Sequence, residues 1–480
     1  MHITEYTSLD ATALALLVRK RGVTTNELLE CALSAAQLVN PEINAICEWY
    51  IEAARLEAKT TGSDARFAGV PFLIKDLVLE MKGTTCRQGS TLVEDRPASE
   101  DSELMARFRR AGFITFGRTT TPAFGAHLLT ASRLCGETLN PWDSGYSPGG
   151  SSGGAAAAVA SGIVPIAHAN DGLGSIRVPA SACGLFGLKP TKQRIPTGPR
   201  YGDLLSGRGV EFVVCRSVRD AAGVLDEVHG PDPGAPYAIP PPARSYTSLL
   251  ERPPKKLKIA FTRHCFSGQL ADERVLAGVE EIATVCENLG HNVEECRPDM
   301  RWDAYMDALF VTVVAGTSAA VRSACESTGM VLSEKTIQPH LWSMTRRVNE
   351  LSSFDLLRAQ GALATSQREM GRFFENIDVF LTPVLNGSPL QAGSLETVSS
   401  LPLFWQQFAG DALSPFVGIF NVTGQPAASI PALFPEDGPP VGVQLVAKFG
   451  REDTLLSLAG QIEAAAPWAN HRPAIHASNF

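Results

Sequence analysis

Two glycine-rich loops that each carry a serine lie close together in the sequence. The first runs Gly149-Gly150-Ser151-Ser152-Gly153-Gly154, and the second runs Asn170-Asp171-Gly172-Leu173-Gly174-Ser175-Ile176-Arg177. Glycine permits a positive φ and lets the backbone approach another group closely. The successive backbone N–H groups of the second loop predict a nest that could bind an oxyanion. Together the loops indicate nucleophilic chemistry at a serine.

The same residues admit three other interpretations. Glycine–serine loops are often flexible connectors, although two of them within 30 residues disfavour this. Gly149 to Gly153 matches the G-x-S-x-G elbow with Ser151 as nucleophile, but that fold needs a supported downstream Asp and then a His. His471 and His476 lie in a polar tail. Phosphate binding is disfavoured because Arg177 stands where a dinucleotide fingerprint requires glycine.

A lysine at the end of an apolar run is the candidate base. Lys75 follows Pro71-Phe72-Leu73-Ile74, which predicts a buried strand. A serine hydroxyl is a weak nucleophile until a base accepts its proton, and lysine is a base only when it is neutral. Its ordinary pKa is about 10.4, so burial must lower that pKa by roughly 2–3 units. Asp76 is expected to face away, because strand neighbours point to opposite faces.

Strands and helices alternate after a helical N-terminal part, which predicts an α/β fold with helices on both faces of a sheet. The predicted helices are 10–20, 25–38, 102–110 and 272–289. The predicted strands are 70–75, 113–116, 163–167, 257–261, 379–381 and 443–446. A proline-rich stretch at about 230–254 predicts either a surface connection or a domain boundary.

Composition limits the classes of function. The chain has 480 residues, 44% of them hydrophobic, and a net charge of −8 without a basic stripe, so no nucleic-acid partner is expected. We recognise no secretory signal and no membrane-spanning segment, and the ten cysteines show no Cys-x-x-Cys pair. These features predict a cytoplasmic enzyme with reduced thiols. No metal site and no cofactor are predicted.

Taken together, the motifs resemble those of the amidase signature hydrolases over nearly the whole chain. The matching segments are 69–77, 149–154, 171–179, 187–191, 420–426 and 442–446. The tail Gly450-Arg451-Glu452-Asp453 and the segment 165–171 are most similar to bacterial amidases of the 6-aminohexanoate-cyclic-dimer hydrolase type. The resemblance implies a single domain over 1–480, built on a large mixed β-sheet covered by helices on both faces. A helical segment at about 265–370 is less similar to the family.

The resemblance also implies a Ser–cis-Ser–Lys triad. The nucleophile falls on Ser175, the cis-serine on Ser151 and the lysine on Lys75, and the two serines are 24 positions apart, as in the family. The implied oxyanion hole comprises the backbone amides of Gly172, Leu173, Gly174 and Ser175.

The implied supporting residues are Gly150, Ser152, Asp171 and Arg177. Asp171 is expected to brace the oxyanion loop, and Arg177 to anchor it rather than bind a substrate carboxylate. His127 and His168 are expected to be packed, satisfied histidines.

Two positions of the second loop depart from the family pattern. Asn170 replaces a threonine, and Leu173 replaces the first glycine of a pair, which restricts φ and narrows the expected acyl pocket. We expect the pocket to be lined by residues from 302–342 and by Phe404, Trp405 and Phe416. The aromatic residues could equally belong to the hydrophobic core.

These features imply hydrolysis of small or apolar and aryl amides, cyclic or synthetic amides included, or of carbamates (urethanes) and esters. The alternatives are the glutaminase (A) subunit of a tRNA-dependent amidotransferase and a non-catalytic binding protein. A homodimer is compatible with either enzyme.

Overall fold

The computed structural model describes residues 1–251, 254–394 and 400–480. The strands in this part of the chain are β1 (Ile46–Trp49), β2 (Pro71–Lys75), β3 (Ile114–Thr119), β4 (Ala131–Ser132), β5 (Gly136–Glu137), β6 (Ile166–Asp171), β7 (Phe186–Lys189), β8 (Val210–Cys215), β9 (Lys258–Phe261), β10 (Asn292–Glu295), β11 (Val379–Pro383), β12 (Ala427–Leu433) and β13 (Val441–Ala447).

The helices of the described residues surround these strands. They are α1 (Ile3–Ser8), α2 (Ala11–Arg19), α3 (Thr25–Ile43), α4 (Ile51–Thr60), α5 (Glu103–Arg110), α6 (Gly153–Ala160), α7 (Arg177–Ala182), α8 (Val218–Val228), α9 (Tyr246–Leu249), α10 (Glu273–Asn288), α11 (Trp302–Thr328), α12 (Pro339–Arg347), α13 (Ser353–Phe373), α14 (Leu401–Phe408), α15 (Gly418–Thr423) and α16 (Glu452–Ala465).

Eleven strands form one mixed sheet in the order β1-β3-β2-β6-β8-β7-β12-β13-β11-β9-β10. Strand β2 pairs parallel with β3 and β6, whereas β6 pairs antiparallel with β8. The predicted α/β class with a large mixed sheet is confirmed. The sheet places the C-terminal ends of the neighbouring strands β2 and β6, which carry Lys75 and Asn170, next to each other.

The predicted strand at 163–167 was misplaced. Strand β6 begins at Ile166 and continues to Asp171. Proline lacks the N–H that a ladder requires, so Pro165 delays the start. The strand extends through Asn170 and Asp171 because these residues pair with Glu211 and Val210 of β8, a contact between distant parts of the chain. The extension brings two polar side chains of the second loop onto the sheet.

Helix α6 is buried at every residue and lies directly after the first glycine–serine loop. A Cβ on Gly153 would lie 2.3 Å from Thr130 Oγ1, and one on Gly154 would lie 2.3 Å from Thr120 Oγ1. Only glycine fits at such a distance. The helix therefore packs tightly enough to fix the backbone of Ser151 and Ser152, which immediately precede it.

The proline-rich stretch connects β8 and α8 to β9 of the same sheet. Its described part is largely exposed, except for α9, where Tyr246 is buried. Arg252 and Pro253 of this stretch lie outside the described residues. Because the strands on both sides belong to one sheet, the structure favours the surface connection. The single domain over 1–480 stays a prediction.

The expectation of no membrane-spanning segment overlooked helix α11. Its 27 residues have a mean hydropathy of 1.5 in their most apolar stretch, which suffices by length and composition for a bilayer crossing, and a third of that stretch is buried. A core helix of a globular protein satisfies the same criterion. Here α11 packs against α12 and α13.

Candidate active site

Lys75 lies at the end of β2 with a fully buried side chain. Its amine lies 2.8 Å from Ser151 Oγ, 2.9 Å from Ser152 Oγ and 2.7 Å from Asn170 Oδ1. Desolvation lowers the pKa of the Lys75 amine to about 7, although the charges of Glu211 and Asp171 oppose that shift. The amine is therefore largely neutral at slightly alkaline pH, as a general base must be.

The hydrogen-bond directions around this amine follow from its partners. Asn170 Oδ1 can only accept, and its orientation is fixed because Asn170 Nδ2 donates to Leu77 O at 3.0 Å and to Glu211 Oε1 at 3.2 Å. The Ser152 hydroxyl donates to Asn170 O at 3.1 Å, so its oxygen accepts from Lys75. A neutral amine has two N–H donors and one lone pair. With both donors used, the lone pair is left for the Ser151 hydroxyl.

Asn170 is a functional residue that the sequence analysis noted only as a departure from the family pattern. Its side chain accepts one of the two Lys75 N–H bonds, and its backbone carbonyl orients Ser152. A polar residue in a strand buried at every position was the available signal, because buried polar groups need hydrogen-bond partners. Glu211, which holds the Asn170 amide, carried no comparable signal.

Ser151 follows a cis peptide bond between Gly150 and Ser151, as the family resemblance implied. A Cβ on Gly150 would lie 2.6 Å from His127 O, so the neighbouring backbone approaches as closely as only glycine allows. Thr121 Oγ1 donates to Ser151 O at 3.0 Å. These contacts hold the Ser151 side chain towards Lys75.

Ser175 lines the same cavity as Ser151 and is 7% exposed. The two loops contact directly, because the Ser152 amide donates to Ser175 O at 3.3 Å. Within the described residues, the Ser175 hydroxyl has no hydrogen-bond partner. A buried hydroxyl that faces a cavity without a protein partner is available to a ligand.

The predicted set of four oxyanion donors needs one correction. The Gly174 amide donates to Asp171 Oδ1 at 2.6 Å, so it is occupied within the loop. The amides of Gly172, Leu173 and Ser175 donate to no protein acceptor in the part of the chain that is described. Gly172 and Leu173 also line the cavity beside Ser175. Three of the four predicted amides therefore remain available.

Asp171 and Arg177 are hydrogen-bonded to each other, and Asp171 also accepts from two amides of the loop that is predicted to form the oxyanion hole. Arg177 is fully buried and donates to both Asp171 oxygens, at 2.9 and 3.0 Å. It also donates to Gln444 Oε1 and Asn421 Oδ1, both at 2.6 Å. Desolvation alone would raise the pKa of Asp171, but Arg177 and Asn421 outweigh it and hold that pKa below its ordinary range. With these partners, Arg177 does not face a substrate.

His127 and His168 are buried and packed, but they are satisfied at one nitrogen only. His127 Nδ1 accepts from the Leu129 amide at 2.9 Å, and His168 Nδ1 accepts from the Lys75 amide at 3.2 Å. Their Nε2 atoms have no hydrogen-bond partner among the described residues. Burial lowers the pKa of His127 to about 4, and it lowers that of His168. Neither ring contacts Ser151 or Ser175 in the described structure.

The two serines open into a cavity of about 270 Å³. Its walls are mainly apolar and include Leu77, Phe124, Leu173, Leu205, Val313 and Phe404. Leu173 lines this cavity together with Ser175. Trp405 and Phe416 are not among the residues that line this cavity, and both pack in hydrophobic clusters, which favours the alternative that they belong to the core. Trp405 packs edge-on against Phe310 with ring centroids 5.2 Å apart, and Phe416 is fully buried 6.3 Å from Phe266.

Replacement of Glu211 by glutamine is expected to shift the acidic limb of the pH–activity profile to lower pH. The Glu211 charge favours the protonated amine and thus raises the pKa of Lys75. Its removal lowers that pKa further, by up to about one unit, while the glutamine oxygen still accepts from Asn170. The measurement is kcat/KM against pH. Glu463→Gln, remote from Lys75, is the control, and an unchanged or upward-shifted limb in Glu211→Gln would contradict the expectation.

Comparison with known families agrees with this geometry. A family model described as Amidase matches residues 27–456. A curated relative, 6-aminohexanoate-cyclic-dimer hydrolase from Paenarthrobacter ureafaciens, is 36% identical over 476 residues, which cover 97% of this chain and 96% of the relative. The resemblance to hydrolases of this type is confirmed.

Solved structures agree as well. A structure of 6-aminohexanoate cyclic dimer hydrolase complexed with substrate superposes with a TM-score of 0.92 at 34% identity, covering 98% of this chain and 99% of the other. A bacterial aryl acylamidase reaches a TM-score of 0.86 at 26% identity, with 96% of each chain covered. A glutamyl-tRNA(Gln) amidotransferase subunit from Thermotoga maritima reaches 0.76 at 23% identity, with 96% of each chain covered, which is a likeness of fold alone.

Proposed function

The chain belongs to the amidase family and is a hydrolase of amide carbon–nitrogen bonds, and from this premise we propose that it acts through an acyl-enzyme on Ser175. Ser151 relays the proton and Lys75 is the base. The proposal is carried by one observation: a buried amine with a pKa of about 7 lies 2.8 Å from the Ser151 hydroxyl, beside the cavity that Ser175 faces.

In the first half of the reaction, Ser175 Oγ attacks the amide carbon. Its proton passes to Ser151 Oγ as the Ser151 proton passes to the lone pair of Lys75. The carbonyl oxygen becomes an oxyanion and accepts hydrogen bonds from the amides of Gly172, Leu173 and Ser175. Lys75 then returns the proton through Ser151 to the departing nitrogen, and the carbon–nitrogen bond breaks.

The second half repeats the relay with water. Water donates its proton through Ser151 to Lys75 and attacks the acyl ester of Ser175. The proton returns to Ser175 Oγ as the ester bond breaks, and the carboxylic acid leaves. A bridging hydroxyl serves both halves, because one lysine cannot easily reach both the nucleophile and the leaving nitrogen.

The substrates proposed are small apolar, aryl or cyclic amides, with carbamates and esters as further substrates. A cavity of about 270 Å³ with mainly apolar walls suits a small apolar acyl group. The names of two similar proteins, a cyclic-dimer hydrolase and an aryl acylamidase, point to the same chemistry. Carbamates and esters form the same type of tetrahedral intermediate, so the oxyanion amides would serve them as well.

The test is a substrate panel measured with the purified chain. It contains a cyclic diamide, a hexanoyl anilide, an aryl carbamate, the matching ester and free glutamine. Hydrolysis of the anilide or the cyclic diamide at a rate abolished by Ser175→Ala is the expected result. Strict dependence on glutamine would overturn the proposal in favour of the amidotransferase component. Hydrolysis that survives in Ser175→Ala would overturn the mechanism.

Three accompanying expectations remain predictions. The enzyme is expected in the cytoplasm, free of nucleic acid and membrane, and a homodimer stays compatible with the chain. A non-catalytic role is not retained, because the chain belongs to a family of hydrolases.

A further inference from the structure

The cavity contains a buried guanidinium that forms no ion pair with a carboxylate within the described residues. Arg208 is 8% exposed and lines the same cavity as Ser175. Its hydrogen-bond acceptor among the described residues is Thr312 Oγ1, at 2.5 Å from Nη1. Thr312 in turn donates to Leu309 O, so its oxygen is available as the acceptor. A guanidinium has five N–H donors, and the remaining ones have no protein acceptor in the part of the chain that is described.

Two other buried arginines have carboxylate partners. Arg177 lies 2.9 Å from Asp171, and Arg194 lies 3.0 Å from Glu452. Arg208 has no carboxylate within 4 Å in the described structure. Asp203 lies on the same loop and lines the cavity, and its charge acts on Arg208 from beyond ion-pair distance. Its side chain is exposed and accepts from Gln193 at 2.9 Å. Burial of an unpaired cation is costly, and an anion that enters the cavity would reduce this cost.

The backbone around Arg208 is tied to the catalytic loops. Asn421 Nδ2 donates to Asp171 O at 2.9 Å and to Arg208 O at 3.0 Å. One side-chain amide therefore links the backbone of Arg208 to that of Asp171. On the same loop, Leu205 packs over Gly172, where a Cβ would lie 2.7 Å from Leu205 Cδ1. These contacts hold the backbone that carries the Arg208 side chain, and the bond to Thr312 holds its guanidinium.

We assign Arg208 to the acyl side of the cavity, because its backbone is linked through Asn421 to the loop that carries Ser175. The proposed relay requires the departing nitrogen to lie at Ser151, against Gly125, where a Cβ would lie 3.2 Å from Ser151 Oγ. Arg208 instead contacts α11 through Thr312, and its carbonyl accepts from Asn421, which also holds Asp171. A group that reaches Arg208 would therefore be carried by the acyl half of the substrate.

We propose that Arg208 binds a carboxylate at the far end of the acyl chain, so that the preferred substrates are amides of short dicarboxylic acids. The inference rests on the proposed function, because the role of Ser151 as proton relay determines which part of the cavity holds the acyl half of the substrate. Guanidinium and carboxylate match in geometry and form paired, charge-assisted hydrogen bonds. The apolar residues that line the same cavity would enclose the methylene chain that separates the carboxylate from the amide.

The test compares anionic and neutral substrates of matched shape. Succinyl, glutaryl and adipyl 4-nitroanilides are each paired with the analogue in which an isopropyl group replaces the carboxylate, for example 5-methylhexanoyl 4-nitroanilide for glutaryl. For at least one chain length, the wild type is expected to hydrolyse the anionic substrate with a kcat/KM that is about tenfold or more above that of its neutral analogue. A difference of this size corresponds to about one to two charged hydrogen bonds. In Arg208→Met, the ratio of kcat/KM for the anionic substrate to kcat/KM for the neutral analogue is expected to fall to about one or below.

The controls separate charge from structure. Arg208→Lys keeps the charge but not the paired geometry, so an intermediate ratio is expected. Arg368→Met, on the exposed face of α13, is expected to keep the wild-type ratio. Thermal unfolding shows whether Arg208→Met is folded. The inference is overturned if the wild type prefers the neutral analogue at every chain length. It is also overturned if the anionic-to-neutral ratio of kcat/KM is the same in the wild type and in Arg208→Met.

A binding measurement separates this inference from the proposed function. Glutarate and 5-methylhexanoate are titrated calorimetrically into the wild type, Arg208→Met and Arg208→Lys. Glutarate is expected to bind more tightly than 5-methylhexanoate to the wild type and to lose that advantage in Arg208→Met. Hydrolysis of the neutral anilides without any glutarate preference would sustain the function and overturn the subsite. Arg208-dependent glutarate binding without hydrolysis would sustain the subsite and overturn the function.

Discussion

Replacement of Lys75 by methionine is expected to lower kcat/KM for amide hydrolysis by about 10³-fold or more at about pH 8, because the base that receives the Ser151 proton is lost. In the wild type, kcat/KM should fall about tenfold per pH unit below the pKa of about 7, as Lys75 becomes protonated and its lone pair disappears. The measurement is kcat/KM between about pH 5 and 9. A wild-type profile that stays level down to about pH 5 would exclude Lys75 as the base.

The same replacement is expected to change how stability depends on pH. The pKa of Lys75 is about 7 in the folded chain and about 10.4 in the unfolded chain, so the unfolded chain binds more protons between these values. The wild type therefore gains stability as pH rises from about 7 to 9, whereas Lys75→Met lacks this contribution. The unfolding temperature of the variant minus that of the wild type should thus decrease from about pH 7 to 9.

Lys189 provides a matched control for this experiment. It is also fully buried, and desolvation lowers its pKa to about 7. Its amine donates to Pro190 O at 2.8 Å, and it does not line the cavity that the two serines face. Lys189→Met should show the same pH trend in stability but retain kcat/KM within about tenfold of wild type. Equal loss of activity in both variants would mean that the effect of Lys75→Met is structural.

Replacement of Ser175 by alanine is expected to lower kcat/KM by about 10⁴-fold or more and to abolish covalent labelling by a fluorophosphonate. The acyl-enzyme cannot form without this hydroxyl, and the residual rate comes from binding and the oxyanion amides alone. Because the Ser175 hydroxyl has no protein partner among the described residues, its removal breaks no hydrogen bond seen there. The unfolding temperature should therefore remain close to that of the wild type.

Peptide mass spectrometry of the labelled wild type locates the nucleophile. The label is expected on Ser175, and in Ser151→Ala labelling should be slower but remain at Ser175, because only the proton relay is lost. Ser152→Ala is the matched control, since its hydroxyl contacts Lys75 at 2.9 Å but carries no proton of the reaction. A label on Ser151 in the wild type would falsify the assignment and favour the nucleophile-elbow interpretation.

The sequence alone determined the residue types and the order in which they occur. The glycines of 149–154 and the apolar run before Lys75 are local features, since they reflect how a backbone turns and which segments avoid water. From them the α/β class, the strand ending at Lys75 and the candidate serines followed. The family resemblance then supplied the roles and the cis peptide bond.

The tertiary structure decided which of these groups meet and how their hydrogen bonds are directed. Only the pairing of β6 with β8 sets Asn170 beside Glu211 and turns its oxygen towards Lys75. Only the packed loop shows that the Gly174 amide is already bound to Asp171. Likewise, the environment of Arg208 depends on chain segments about 100 residues apart. Such contacts arise from the packing of distant segments, and no local pattern of residues encodes them.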